Sequence, residues 1–305
     1  MNRRLHHAVL GLLLYAMFCT VAGIFVAEGT LHPGRRPLDS QLLWEAQQVA
    51  QRTGSSLQDV SLTTADHLLL QAWLIQPGLG NGGAVLLLHG LSDNRIGMIG
   101  YADLLLAHGY AVLMPDARAH GQSGGAIATY GLLERQDIRD WALWLTTNLH
   151  PKCVFGLGES MGAAQLLQSL DSKSSFCAVV AESPFSDFRE IGYDRIGQFF
   201  SAGPWLGRTL LRPVIEVAFA YSRWKYGLDL RQVSPAAAVA ATKVPVLLIH
   251  GQIDSNISIR HSRRIKSLAP AVILWEVPNA DHCGAVSTAP EEFNAKLIDW
   301  FQSHQ

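Results

Sequence analysis

Six short apolar runs constrain the fold of this chain more than any other feature: Ala84–Leu88, Ala111–Met114, Val154–Leu157, Ala178–Ala181, Val246–Ile249 and Val272–Val277. They are too short for helices and, apart from Glu276 in the last, apolar throughout, the pattern of strands covered on both faces. Segments of helical periodicity separate them, around Met98–Ala107, Leu132–Thr147, Met161–Leu170 and Arg260–Leu268, and Pro290–Gln302 closes the chain. Such alternation predicts an α/β domain over residues 57–302, with a mostly parallel central sheet and helices on both faces. Val60–Thr63 and Leu68–Ile75, followed by a turn at Pro77–Gly83, read as an antiparallel pair ahead of it.

One interval breaks the rhythm. Residues from about 184 to 235 form a stretch of roughly 50 residues between two strands, far more than a crossover needs. It carries Phe199, Phe200, Trp205, Phe219, Tyr221, Trp224 and Tyr226, with helical stretches at Phe188–Phe200 and Pro213–Lys225. An aromatic-rich insertion of this size reads as a helical lid. A packing elaboration with no part in binding is the plainer alternative.

The amino-terminal end has a different composition. After a short tail at residues 1–7, the segment from Ala8 to Ala27 has no charge. About 20 residues at 1.5 Å each reach roughly 30 Å, the hydrocarbon thickness of a bilayer. A transmembrane anchor is the favoured reading. A cleaved signal peptide competes, with Arg3 and Arg4 as its charged start and Val21-Ala22-Gly23 as a passable cleavage site, but signal apolar regions are usually shorter. A lipoprotein cysteine at Cys19 fits less well behind the bulky Met17-Phe18, and a buried core helix is disfavoured by the uninterrupted apolar surface and the terminal position. The short tail favours the amino terminus inside, which places the remaining domain outside the cytoplasmic membrane, although Arg35 and Arg36 follow the span as Arg3 and Arg4 precede it. Residues 28–56 link anchor to domain, with breakers at Pro33, Gly34 and Pro37 and a short helix at Leu42–Gln51.

With 24 Lys+Arg against 25 Asp+Glu and no basic tract, nothing recommends a nucleic-acid partner. The four cysteines form no zinc-site spacing. Cys153 and Cys177 begin two predicted strands and are expected to be separate small hydrophobes, a disulfide being the alternative in an oxidising compartment.

Chemistry concentrates at loops that follow the apolar runs. Gly158-Glu159-Ser160-Met161-Gly162 stands between a strand and a helix. A serine hydroxyl is a poor nucleophile until a base takes its proton, and a tight strand-to-helix turn flanked by glycines holds it exposed. An acid and a base then follow in the order this sheet demands. Asp254 lies just beyond Val246–Ile249, and His282 just beyond Val272–Val277. All three fall on the carboxyl edge, where open α/β sheets build their sites. Asp254 would hold the imidazole and His282 would deprotonate Ser160. Asp281 is the second-choice acid, while His250, His89 and His120 read as structural. The oxyanion donors are assigned to the Met161 N–H, at the helix start, and the Leu91 N–H, in the turn His89-Gly90-Leu91-Ser92. The loop Asp116–Gly125 reads as polar scaffold.

His89-Gly90, Asp116-x-Arg118-x-His120-Gly121-x-Ser123, Gly158-x-Ser160-Met161-Gly162, His250-Gly251-x-x-Asp254 and Asp281-His282 come in a familiar order. In that order they resemble the α/β-hydrolase superfamily, and within it the bacterial membrane-anchored hydrolases related to monoglyceride lipases and the serine aminopeptidase group. The resemblance implies the α/β-hydrolase fold and a carboxylic ester hydrolase needing no cofactor, and no His-Glu-x-x-His or similar cluster suggests a metal. It also implies Ser160, Asp254 and His282 as triad, with Leu91 and Met161 as oxyanion donors. A small-molecule acyl ester is then the expected substrate, and the membrane the expected partner through the amino-terminal helix. An aminopeptidase is the runner-up, because Glu182, Asp187 and Glu190 near the start of the insertion could receive an amino terminus. An acyltransferase or thioesterase would use the same triad, and a non-catalytic membrane-tethered module would need none.

Overall fold

A computed structural model of the chain describes residues 3–171 and 174–305. Among these, eight strands form one sheet: β1 (Ser55–Thr63), β2 (Leu69–Pro77), β3 (Gly83–Leu88), β4 (Ala111–Pro115), β5 (Cys153–Glu159), β6 (Phe176–Glu182), β7 (Val246–Gly251) and β8 (Ile273–Val277). Their order is β1-β2-β4-β3-β5-β6-β7-β8. β2 runs antiparallel to β1 and β4, and all other neighbours are parallel. The helices are α1 (Arg3–Leu31), α2 (Ser40–Arg52), α3 (Ile99–Ala107), α4 (Glu134–Leu149), α5 (Ser160–Ser169), α6 (Phe188–Phe199), α7 (Trp205–Arg208), α8 (Arg212–Tyr226), α9 (Pro235–Ala241), α10 (Arg260–Leu268), α11 (Ala285–Thr288) and α12 (Pro290–Gln302).

The central strands are buried because both faces are covered. Val85 and Leu87 of β3 join one cluster with Trp73, Phe155, Phe293 and Phe301, while Ala84, Leu86 and Leu88 join a second with Trp141, Leu166 and Ile265. The period of two sends alternate residues to opposite layers, so a strand sandwiched between helices must be apolar at every position. At the edges this requirement lapses, and β1 alternates between exposed and half-buried positions. The strand order reverses at β3, with β4 on one side and β5 on the other. Loops leaving the carboxyl ends of β3 and β5 therefore diverge and leave a crevice between them.

The structure corrects one expectation. Cys153 and Cys177 are joined by a disulfide, with Cα atoms 5.8 Å apart. The reason is a register shift: Val154 pairs with Phe176 but Phe155 with Ala178, so Cys177 is the extra residue of a bulge beside the start of β5. Closing a loop across a sequence separation of 24 stabilises the fold by about 3 kcal/mol on chain-entropy grounds. A Cys153→Ala/Cys177→Ala variant should lose that amount in urea unfolding, and its stability should no longer respond to reductant.

By internal contacts the chain divides into two units, Met1–His32 with Asp187–Gln232, and Pro33–Ser186 with Val233–Gln305. In the first unit α1 and α8 run side by side in the same direction. Cys19 packs with Leu211 and Val214, and the missing side chain of Gly23 leaves room for Val217, whose Cβ is 2.6 Å from where a Gly23 Cβ would stand. Glu28 accepts from Lys225 Nζ at 2.7 Å and from the Tyr226 hydroxyl at 2.9 Å. The buried residues of α1, Cys19, Gly23, Ala27 and Leu31, recur every fourth position and so mark one narrow stripe. Leu12, Leu13, Met17, Val21 and Phe25 around it are exposed.

Candidate active site

The turn between β5 and α5 presents Ser160. Its φ of 51° lies in the left-handed region, a conformation worth roughly 1–3 kcal/mol of strain for a residue with a side chain. Two glycines make the turn possible by their small size. A Cβ on Gly162 would lie 2.3 Å from the Leu88 carbonyl oxygen, and one on Gly158 would lie 2.7 Å from the Ala163 amide nitrogen. The first of these contacts lets α5 begin directly against the end of β3, beside the turn that carries Leu91. A third glycine acts in the same way, since a Cβ on Gly251 would lie 2.2 Å from the Ala280 carbonyl oxygen. It allows the end of β7 to meet the loop that bears His282.

These close approaches bring the three side chains together. His282 Nε2 is 2.8 Å from Ser160 Oγ, and His282 Nδ1 is 2.9 Å from Asp254 Oδ2. With Nδ1–H donating to the carboxylate, Nε2 is left to accept from the serine hydroxyl. Asp254 Oδ1 also accepts from the amides of Asn256 at 2.9 Å and Ile257 at 2.7 Å. Burial pushes the Asp254 carboxyl up, but hydrogen bonds from His250 and His282, the His282 charge and the Ile257 amide outweigh it and hold it well below the usual carboxylate range.

The neighbouring groups are engaged elsewhere. Asp281 Oδ1 accepts from the Ser255 amide at 2.8 Å and the His282 amide at 2.7 Å, tying the loops after β7 and β8 together. Buried His250 meets Ser262 Oγ and the Ile257 carbonyl, each at 2.7 Å, with Asp254 Oδ2 at 3.3 Å. His89 Nε2 accepts from the Ala117 amide at 3.1 Å, so its Nδ1–H donates to the Gly90 carbonyl at 2.7 Å. Pinning that carbonyl turns the Leu91 amide of the same trans peptide to the opposite side. Met161 is buried in the first turn of α5, where helix amides lack internal partners. His120 Nδ1 stands 3.0 Å from the Arg118 carbonyl, and burial, then the neighbouring His89, lower the ring to about 4. Asp116 accepts from the Arg95 amide and guanidinium and the Gln122 amide at 2.7–2.8 Å.

The acidic residues that could have received an amino terminus are committed to other bonds. Glu182 accepts from the Tyr101 hydroxyl at 2.9 Å and the Ala285 amide at 3.0 Å. Asp187 caps α6 through the Glu190 amide at 2.9 Å, and Glu190 pairs with Arg208. Sequence reading missed Glu159 and Tyr101, which face Glu182. The only signal was an acid at the end of each of two apolar strand runs. Among the described residues, no group of three or more His, Cys, Asp or Glu is placed to hold a metal ion.

A mixed sheet that reverses at β3, with a serine on a left-handed strand-to-helix turn and histidine and aspartate on later loops, is the architecture of hydrolytic α/β enzymes. Comparison with known proteins agrees. The model of the alpha/beta hydrolase family matches residues 85–296, and the chain belongs to that family. The uncharacterized protein YqkD of Bacillus subtilis is 30% identical over 65% of this chain and 64% of its own length. The uncharacterized YfhR of Escherichia coli K12 is 25% identical over 81% of each. Among solved structures, the Pyrococcus furiosus esterase Pf2001 superposes with a TM-score of 0.69 at 26% identity, covering 90% of this chain and 98% of that one.

Proposed function

We propose that the protein is a serine hydrolase of uncharged carboxylic esters, tethered to the cell membrane. The observation that carries the reading is the unbroken hydrogen-bonded line from Ser160 Oγ through His282 to Asp254. His282 takes the hydroxyl proton as Ser160 Oγ attacks the acyl carbon, and Asp254 stabilises the imidazolium that forms. The Met161 and Leu91 amides receive the developing oxyanion, each donor worth roughly 2.7–4 kcal/mol. Collapse of the tetrahedral intermediate breaks the bond to the alcohol, which leaves with the proton from His282. Water, deprotonated by the same ring, then attacks the acyl-enzyme and releases the acid. The prior engagement of Glu182, Asp187 and Glu190 favours an ester over an amino-terminal peptide substrate, and Pf2001 is itself described as an esterase.

A fluorophosphonate probe should add covalently to Ser160, located by peptide mass. A panel of p-nitrophenyl esters, monoacylglycerols and aminoacyl amides should show turnover of the esters. Labelling at another residue, or turnover of the amides alone, would sink this reading.

Residues 8–27 form the proposed anchor, with residues 28–56 as linker and the catalytic domain on the extracytoplasmic side. Two features support it: the exposed apolar surface of α1, and a disulfide suited to an oxidising compartment. The contact with α8 sets a condition. Leu211 lies against Cys19, so Arg212 and Glu216 stand beside the second half of the span. Full insertion then requires α8 to part from α1, because charges at bilayer depth cost several kcal/mol. Membrane fractionation should retain the full chain in the pellet after carbonate washing, and protease added outside should digest the domain. A soluble product lacking residues 1–23 would establish a cleaved signal peptide instead.

A further inference from the structure

Glu159 and Glu182 are register partners at the ends of the parallel strands β5 and β6, so their carboxyls project side by side from one face of the sheet. Each touches a different part of the site. The position a Gly90 Cβ would take is 3.4 Å from Glu159 Oε1, which places that carboxyl against the turn bearing the Leu91 amide. Glu182 holds the Ala285 amide at 3.0 Å, three residues beyond His282, and takes the Tyr101 hydroxyl of α3 at 2.9 Å. Asp93, Tyr101 and Cys283 also face Glu159, and His282 and His250 face Glu182. The Cys283 thiol is pushed up by burial and by both carboxyls, so it stays neutral.

We propose that Glu159 and Glu182 are a proton-sharing carboxyl pair, positioning residues that lock the Leu91 turn and the His282 loop to the nucleophile strand. The inference rests on the serine-hydrolase reading given above. Two carboxyls set side by side on neighbouring strands in a buried site do not both ionise without mutual repulsion. Burial, then the charges of Glu182 and Asp93, raise Glu159 to about 7, and burial raises Glu182 as well. While one proton remains, the pair carries a single negative charge and the two loops stay attached. When it leaves, a second charge stands beside the place where the oxyanion must develop, and the transition state is destabilised. The catalytic activity should therefore fall on the alkaline side as the pair loses its last proton.

The test is the pH profile of kcat/KM for a p-nitrophenyl ester from pH 5 to 9.5, compared among the wild type, Glu159→Gln and Glu182→Gln. Wild type should fall roughly tenfold or more above neutrality, the scale of one added like charge at a few ångströms in a half-buried site. Either glutamine keeps the shape but cannot ionise a second time, so the alkaline limb should vanish from both variants. An unchanged limb with the same midpoint overturns the proposal. Infrared difference spectra give a second reading: the wild type should show a protonated carboxyl band at pH 6 that is lost by pH 9 and is missing from Glu159→Gln, which separates it from the buried Asp137, raised to about 6. A spectrum without that band also overturns it. Fluorophosphonate labelling across the same pH range separates the two ideas. Labelling that follows the alkaline limb supports both, pH-independent labelling of Ser160 leaves the hydrolase reading and removes the pair, and a folded protein unlabelled at every pH removes both.

Discussion

Replacing Ser160 by alanine is expected to lower ester turnover by about five to six orders of magnitude, the scale seen when a triad nucleophile is deleted. The loss is specific to chemistry, because a fully assembled sheet surrounds the turn and Ser160 contributes little apolar packing. Alanine inherits the left-handed backbone that serine occupies, so Ser160→Ala should unfold at nearly the wild-type urea concentration. Ser160→Gly separates chemistry from strain. It should be equally inactive, yet more stable than the alanine variant by about 1 kcal/mol, since glycine adopts a φ of 51° without steric cost. Steady-state kinetics on a p-nitrophenyl ester and urea titration measure both quantities. Activity surviving in Ser160→Ala within a hundredfold of wild type would send the nucleophile elsewhere.

Asp254→Asn should lower kcat by roughly four orders of magnitude while leaving KM nearly unchanged. An asparagine amide presents a hydrogen-bond donor where His282 Nδ1–H now donates, so the ring turns over to its other tautomer and Nε2 can no longer accept from Ser160. Asp281→Asn is the control. Its carboxylate meets the Ser255 and His282 amides but not the His282 ring, so its loss should stay within about tenfold. Equal losses at the two positions would reverse the assignment of the acid. Asp254→Asn also has a signature in the pH dependence of stability. The folded-state carboxyl of Asp254 lies below its ordinary value, so its contribution to stability is present above the usual aspartate range. That contribution is lost as pH falls through and below that range, and Asp254→Asn should flatten the acid limb of the stability profile there.

Much of the architecture was legible from period and punctuation. Apolar runs marked the parallel strands, five of them because a strand with helices on both faces has no polar face to show, whereas the edge strand β8 is half-exposed and carries Glu276. The helix read at Leu42–Gln51 matches α2, capped at Asp39, and the two helices read in the insertion correspond to α6 and α8. Boundaries were less legible. β1 begins at Ser55, five residues before the run that announced it, because an edge strand needs no apolar residues to pair. The positions of Ser160, Asp254 and His282 on the sheet rim followed from their places just beyond three apolar runs.

What the linear pattern determined, then, was local: where strands and helices lie, which residues stand at their carboxyl ends, and which turn needs glycine. Distances between remote residues belong to another order of information. The 2.8 Å and 2.9 Å bonds of His282 depend on how β5, β7 and β8 are ordered in the sheet and on the glycines that let them approach. The Cys153–Cys177 bridge depends on one bulge, and the Glu159–Glu182 pair on the register of two strands 16 residues apart in sequence. Hydrophobic period is a property of one segment and can be read from it. Register and crossing are properties of pairs of segments, chosen by packing, and only the folded chain holds them.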